Sequence, residues 1–378
     1  MKVEKLMFNN HNVLKRLEVD FIDEFNKPLD TIVIIGDNGV GKTKLLEAII
    51  AILRGERDEL LGKIGSVKLS CESITLVVNI PDAFTIPTSN GKITLKTPRI
   101  IWLPAEMKAK REFETDDPAP IEIINQDYER LAKRIAAYIS DIIDEAVYKN
   151  IDQPPRDVIN KKCQEINDVF QILNLDIKLV GLSPNEKSPL FINAWGEEFN
   201  IEALSSGEKQ LFLRILSLKQ LNVNNGIILI DEPETSLHPE WQRKIIDIYK
   251  SIGDNNQLII ATHSPFIVGS VKSESVRIMS KDDEGKIKIS KQDEISETYG
   301  KSVEDILKVT MDLDSLRNEE VTIKLNRVTQ LLNSNQYETE EYKHLMDELK
   351  NQLGTADKDI MRIEMEKSVR VRENAKSD

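Results

Sequence analysis

Cysteine is nearly absent from this chain: Cys71 and Cys163 are the two in 378 residues, far apart and without CxxC spacing. A disulfide scaffold and a thiolate zinc site are thereby excluded, and the usage fits a reducing compartment. Histidine is sparse too. His11, His238, His263 and His344 are scattered, so no histidine-rich metal cluster is expected. Positive charge is in deficit, with 51 Lys and Arg against 64 Asp and Glu and a net charge of −13. Surfaces that coat nucleic acid need clustered cations, so this balance argues against such a protein and leaves room only for a local basic patch. No apolar run approaches the ~20 residues that span a bilayer, and Met1 to Asn10 lacks the apolar core of a signal peptide. A cytoplasmic protein without a membrane partner is expected. With 40% apolar and 30% charged residues, the chain can bury a sizeable core.

Thr31 to Ile35 is a compact β-branched run, as expected of a strand buried on both faces, and the helical stretch Lys42 to Arg54 follows it. Short strands are predicted over Val3 to Phe8, Leu17 to Phe21, Ser66 to Ile80 and Arg99 to Leu103, with a hairpin around Asn90-Gly91. Ala105 to Pro120 is polar and proline-bounded and reads as a loop; Ile121 to Asn150 and Val158 to Leu173 read as helices. Then come a helix at Ser205 to Leu221, a strand at Gly226 to Ile230, a helix at Pro239 to Ile252 and a strand at Leu258 to Thr262. Such alternation predicts an α/β fold with a mostly parallel sheet covered on both faces. Beyond Lys301 the pattern is helical. Val321, Leu325, Val328 and Leu332 line one face, and Tyr342, Leu345, Leu349 and Leu353 line another.

Gly36 to Thr43 matches G-x-x-x-x-G-K-[ST] in full, between a buried strand and an amphipathic helix. In such a loop the glycines let backbone amides turn inward around phosphates, and the helix adds its unpaired amides and positive dipole end. Asn38, Gly39, Val40, Gly41, Lys42, Thr43 and Lys44 are therefore the candidate contacts to ATP, with Lys42 on the β- and γ-phosphates and Thr43 on Mg²⁺. Gly226 to Glu232 is an apolar strand ending in two carboxylates, at the end of a strand where the ligand crevice of a parallel sheet lies. Asp231 is the candidate metal ligand, and Glu232 the candidate base that polarises water. Ser205, Ser206 and Gly207 open a helix whose start lies 27 residues before Asp231, counted from Leu204. Taken alone, a serine there is an N-cap. His263 ends the next strand, 32 residues after Asp231, where it could hydrogen-bond a γ-phosphate.

The four segments, in this order, resemble the nucleotide-binding domain of the ABC ATPase superfamily. Gly36 to Thr43 matches Walker A, Leu204 to Glu208 the signature motif, Ile227 to Glu232 Walker B, Ser236 to Pro239 the D-loop, and His263 the switch histidine. Asp231 to Gln242 together with Thr262 to Phe266 resembles the RecF/OLD branch. Within it the chain is most similar to the stand-alone ATPases of bacterial anti-phage systems, of the Septu or retron-associated kind. The resemblance implies an ABC ATPase head at 1–300, comprising a parallel P-loop sheet, an antiparallel β-subdomain and a helical lid at about 105–203. It adds a C-terminal helical extension at 301–378 for dimer or partner contacts. It implies two ATPs at the interface of a homodimer or higher oligomer, with Ser205 and Gly207 acting in trans. It also implies a separately encoded effector such as a nuclease, with nucleic acid in the assembled complex. Two other readings compete: a RecF-like repair ATPase that clamps DNA itself, and a transporter subunit. The signature departs from transporters in having Ser206 and Glu208, and Glu106 is the nearest candidate for a Q-loop residue.

The interval of 161 residues between Thr43 and Leu204 cannot hold the long arms of chromosome-organising relatives: a helix of about thirty residues reaches only ~45 Å. Asp312-Leu313-Asp314 reads as a solvated turn and not a nuclease metal site. The clusters Lys108 to Arg111 and Lys281 to Lys291 read as solvated faces. The tail's 13 basic and 17 acidic residues exclude a nucleic-acid arm.

Overall fold

The computed structural model describes residues 2–54, 62–71, 74–79, 85–88, 91–94, 99–105, 121–123, 128–171, 173, 175, 177–183, 188–290, 294–313 and 315–377. Glu106, the Lys108 to Arg111 cluster, Asn90 and Asp314 lie outside them. The chain divides into two compact units, residues 1–306 and 307–378.

The first unit is built on a seven-stranded sheet. Its order is Ile287–Ile289, Val276–Lys281, Thr31–Gly36, Gln257–Ala261, Ile227–Asp231, Ile100–Leu103 and Ile121–Ile123. Only the first pairing is antiparallel. Ile32 to Ile35, Ile227 to Ile230 and Leu258 to Ala261 are buried throughout, as strands covered on both faces must be. Helix Lys42–Arg54 packs on one face through Leu45, Leu46, Ile49 and Leu53. Helix Ser206–Leu221 is buried nearly all round. Register sets the site: Asp231 pairs with Ala261, and Ala261 with Ile34, so the first two strands end level and the third runs on two residues to Gly36 beside them.

A four-stranded antiparallel sheet runs Glu18–Asp20, Lys2–His11, Gly62–Cys71, Ile74–Asn79. Gln257 ties it to the central sheet, accepting from Val3 N–H at 2.7 Å and donating to the Val3 and Leu29 carbonyls at 2.9 Å each.

Three sequence expectations need correction. The predicted helix from Ile121 begins only at Tyr128, because Ile121–Ile123 extends the parallel sheet beside Ile100–Leu103. The predicted lid is not wholly helical. After helices Tyr128–Lys149 and Pro155–Gln171 comes a sheet of Ile177–Leu182, Pro189–Asn193 and Glu198–Asn200, whose Phe191 meets Phe212 of the Ser206–Leu221 helix edge to face, while Phe170 stacks on the same ring. The predicted helix Pro239 to Ile252 is two short ones, Pro239–Gln242 and Ile245–Lys250.

The second unit packs helices Glu319–Asn333, Glu340–Leu353 and Lys358–Ser377. Asn318 and Thr339 cap the first two through their side chains. Val328, Leu331, Leu332, Tyr342, Met346, Leu349, Ile360 and Ile363 form one buried cluster, with Leu325 and Leu345 packed against it. The Arg317 fork holds Asp357 and Asp359 at 2.8–2.9 Å. The apolar stripes of the tail, which by their spacing suit either partner contacts or packing within the chain, face each other here as this unit's own core.

Candidate nucleotide site

The loop Gly36 to Thr43 leaves strand Thr31–Gly36 and enters helix Lys42–Arg54. Gly39 and Gly41 take φ of +74° and +106°, which a side chain would strain, and this turns the loop back over the helix start. Val40 is buried in the hydrophobic core, while Asn38 is exposed. Lys44 also points outward, to Glu47 at 2.6 Å, so this ion pair is a helix-surface contact.

Lys42 is buried. Its Nζ donates to the Gly36 carbonyl at 2.8 Å and the Asp37 carbonyl at 3.1 Å, and lies 2.6 Å from His263 Nε2. Burial lowers the pKa of both groups, and the Lys42 charge lowers that of His263 further, while Glu232 opposes the shift in each. A neutral imidazole accepting from the ammonium satisfies that geometry. Glu232 Oε1 lies 3.7 Å from His263 Nε2. Glu232 itself sits at φ +45°, an αL conformation uncommon for a non-glycine residue and found at turns and functional sites.

Thr43 Oγ1 donates to Asp231 Oδ2 at 2.8 Å, joining the loop to the acidic strand. Asp231 is buried, its Oδ1 has no partner among the described residues, and burial pushes its carboxyl up to about 6 despite the Thr43 bond. A hydroxyl beside a desolvated carboxylate with a free oxygen is a hard-oxygen donor set that suits Mg²⁺. Among the described residues no cluster of three or more His, Cys, Asp or Glu could hold a metal by itself. Mg²⁺ commonly takes few protein ligands and its remaining oxygens from phosphate and water.

Ser205 caps the Ser206–Leu221 helix: its Oγ accepts from Glu208 N–H at 3.3 Å and its own N–H donates to Glu208 Oε2 at 2.9 Å. Gly207 admits no side chain, since a Cβ there would stand 2.4 Å from the Ser236 carbonyl oxygen. The segment Ser236 to Pro239 thus passes directly over the helix start. Among the described residues, the side-chain hydrogen bonds of Ser205 to Glu208 stay within this helix and reach none of the residues 36–44. The site is drawn together in two parts: Lys42, Thr43, Asp231, Glu232 and His263 in one, Ser205 to Gly207 with Ser236 in the other.

Residues the motif reading left without a role also converge here. Glu234 Oε1 accepts from Thr262 Oγ1 and His263 N–H, both at 2.6 Å. Buried Arg214 donates to the Pro104 carbonyl at 2.8 Å, and Gln210, with its amide nitrogen toward Thr235, bridges Arg214 to the Thr235 carbonyl at 3.0 Å on each side. Glu234 lies inside a motif quoted from the sequence, but its partners are 28 and 29 residues away.

The parallel sheet carries a phosphate loop and an acid pair at adjoining strand ends, an arrangement that suits a nucleotide with its metal ion. Residues 105–269 match the family described as "AAA domain, putative AbiEii toxin, Type IV TA system", a span that includes Ser205, Asp231 and His263 and begins after Thr43. The chain is 25% identical over 350 residues to the Septu protein PtuA of Bacillus thuringiensis, covering 81% of this chain and 86% of that one. It is 25% identical over 226 residues to the "Retron Vc95 probable ATPase" of Vibrio cholerae serotype O1 biovar El Tor, covering 56% of this chain and 43% of that one. The chain thus spans less than half the length of the Vibrio relative. Among solved structures, the Smc head bound to the C-winged helix domain of ScpA aligns with a TM-score of 0.48 and 17% identity, over 77% of this chain and 98% of that one. In sequence the chain is thus similar to retron ATPases and to Septu PtuA proteins. Among the described residues, no helix is long and apolar enough to cross a membrane.

Proposed function

We propose that two copies of this ATPase close on each other around ATP and Mg²⁺, and that closure with slow hydrolysis regulates a separately encoded effector, a nuclease, in anti-phage defence. The observation that carries this reading is the split site. Five chemically apt side chains meet at three strand ends, while among the described residues the side-chain hydrogen bonds of Ser205 stay within its own segment. A second chain would bring its Ser205, Ser206 and Gly207 to the phosphates bound by the first.

Asn38 to Thr43 would wrap the phosphates with backbone amides, and the Lys42 ammonium would leave its carbonyl and imidazole partners for the β- and γ-oxygens. Thr43 Oγ1 and Asp231 would hold Mg²⁺. Held there, the ion would supply positive charge that offsets the charge of the phosphates. Glu232 would take the proton of the attacking water, and His263, 3.7 Å from it, would face the γ-phosphate. The first unit carries this chemistry. The extension, 301–378, would contact the effector through outward residues such as Met361 and Met365 of helix Lys358–Ser377.

Light scattering on the full chain with and without ATP·Mg²⁺ tests the closure. Glu232→Gln keeps the shape and loses the charge that activates water, so it should hydrolyse at least ~10²-fold more slowly and accumulate as the ATP-bound dimer. A Glu232→Gln protein that stays monomeric in saturating ATP, or turns over within about threefold of wild type, a loss well short of a general base's, would refute the reading.

A further inference from the structure

We infer that Glu234 is the positioning residue of the switch histidine: one of its carboxylate oxygens fixes the Thr262–His263 turn and so sets where the His263 ring stands between Lys42 and Glu232. This rests on the site reading given above.

Glu234 lies in the turn that leaves the acidic strand, where Thr235 N–H bonds the Glu232 carbonyl at 3.2 Å and Leu237 N–H bonds the Glu234 carbonyl at 2.9 Å. From there its Oε1 crosses to the next strand and accepts both the Thr262 hydroxyl and the His263 amide at 2.6 Å. These are charge-assisted bonds, short and directional. Thr262 is fully buried, and its own amide donates to the Ile34 carbonyl at 3.0 Å. Glu234 Oε1 therefore joins the turn after the acidic strand to the end of the switch strand, and the Thr262 amide joins that end in turn to the phosphate-loop strand. The Thr262 hydroxyl also accepts from Ser264 N–H at 2.9 Å, and Ser264 Oγ donates to Gln242 Oε1 at 2.6 Å, which braces the turn on its far side.

Glu234 Oε2 is buried without a partner among the described residues. A turn that had only to hold its backbone would be served by an uncharged acceptor, without a second desolvated oxygen. What the carboxylate adds is negative charge beside the two cation-forming groups of the site. Burial lowers the pKa of both Lys42 and His263, and Glu234 is among the carboxylates that oppose this in each. Position and field then act together on His263. An error of about 1 Å at a group facing the reacting phosphate can cost ~10²-fold in rate.

Steady-state ATP hydrolysis by the full chain tests this with Glu234→Ala, Glu234→Gln, His263→Ala and the double variant Glu234→Ala/His263→Ala. Removing the acceptor should lower kcat about 10- to 100-fold with KM for ATP within about threefold. Glu234→Gln, which keeps an acceptor oxygen, should recover to within about fivefold of wild type, since it loses the charge and not the bonds. In the His263→Ala background, Glu234→Ala should cost nothing further, because it acts through the ring already removed. A kcat within threefold of wild type for Glu234→Ala, or losses that multiply in the double variant, overturns the inference while leaving the site reading intact. A silent His263→Ala sinks the site reading and this inference with it. Should Glu234→Ala not fold, Thr262→Val replaces it. That variant should lower kcat in the wild-type background and not beside His263→Ala, and equal losses in both would overturn the inference.

Discussion

Asp231→Asn should make the nucleotide-free protein more stable while removing its Mg²⁺-dependent activity. The carboxylate is 4% exposed, one oxygen has no partner among the described residues, and burial pushes its pKa from 3.8 up to about 6. A folded-state pKa about two units above the unfolded one means that ionised Asp231 costs the fold about 3 kcal/mol at neutral pH. The stability lent by protonation is complete below the unfolded value near 3.8 and is lost as pH rises through about 6. Asparagine keeps an oxygen to accept from Thr43 Oγ1 and carries no charge. Its amide NH₂ would occupy the unpartnered Oδ1 position and give back about 1–2 kcal/mol, leaving a net gain of about 1–2 kcal/mol at pH 7.5. Urea unfolding of the full chain without nucleotide, at pH 7.5 and pH 5.0, measures this. The variant's advantage should shrink by about 1.4 kcal/mol at the lower pH, where wild-type Asp231 is largely protonated in the fold. Adding ATP and Mg²⁺ should then stabilise wild type more than the variant, since ligand binding stabilises only a fold that binds it. A variant less stable than wild type at pH 7.5, or an advantage independent of pH, would refute the reasoning.

Lys42→Ala should abolish nucleotide binding, because alanine cannot replace an ammonium on the β- and γ-phosphates; unchanged affinity for a fluorescent ATP analogue in a folded variant would count against it. Ser205→Arg should bind ATP as a single chain yet fail to close with a second. Mixing it with Lys42→Ala should restore activity, since one composite site then has an intact loop and an intact signature; no recovery at any ratio would argue for action in cis. Cys163 is 1% exposed and burial raises its thiol to about 11, so at pH 8 the native protein should resist iodoacetamide at this position and label only in denaturant, as read by peptide mass mapping.

The parts legible in the sequence are those whose physics is local. Gly36 to Thr43 specifies its own turn through glycines and a helix start, and Ile227 to Asp231 announces a strand buried on both faces by apolar content alone. Strand order is not local. Nothing near Ile121 shows that it will add to the edge of the sheet beside Ile100–Leu103, and the apolar residues that follow read as one helix with it. The break inside Pro239 to Ile252 is equally hidden. It falls at Arg243 and Lys244, with no glycine or proline to mark it, and Gln242 Nε2 turns back to the Leu237 carbonyl at 2.8 Å. Glu234 belongs to the same class. Its neighbours in sequence suggest a turn, and only the parallel register of Asp231 against Ala261 brings Thr262 and His263 within reach.

The tail shows where periodicity stops being informative. Val328 and Leu332 on one helix, and Tyr342 and Leu349 on the next, mark apolar faces correctly, but a stripe has the same spacing whether its partner is another protein or the same chain. Helix Lys358–Ser377 decides between the two. Ile360 and Ile363 enter the cluster and close it, and Arg317 clamps the start of that helix through Asp357 and Asp359. Its sequence alone reads weakly because Met361, Met365 and Val369 point outward on a second face, so apolar residues stand on two sides of one helix. A helix that serves its own core with one face and leaves another apolar offers a partner only the second. Substitutions at Leu332 or Leu349 would unfold the unit before they reported on any partner, whereas the outward face of Met361, Met365 and Val369 can be changed without opening the cluster.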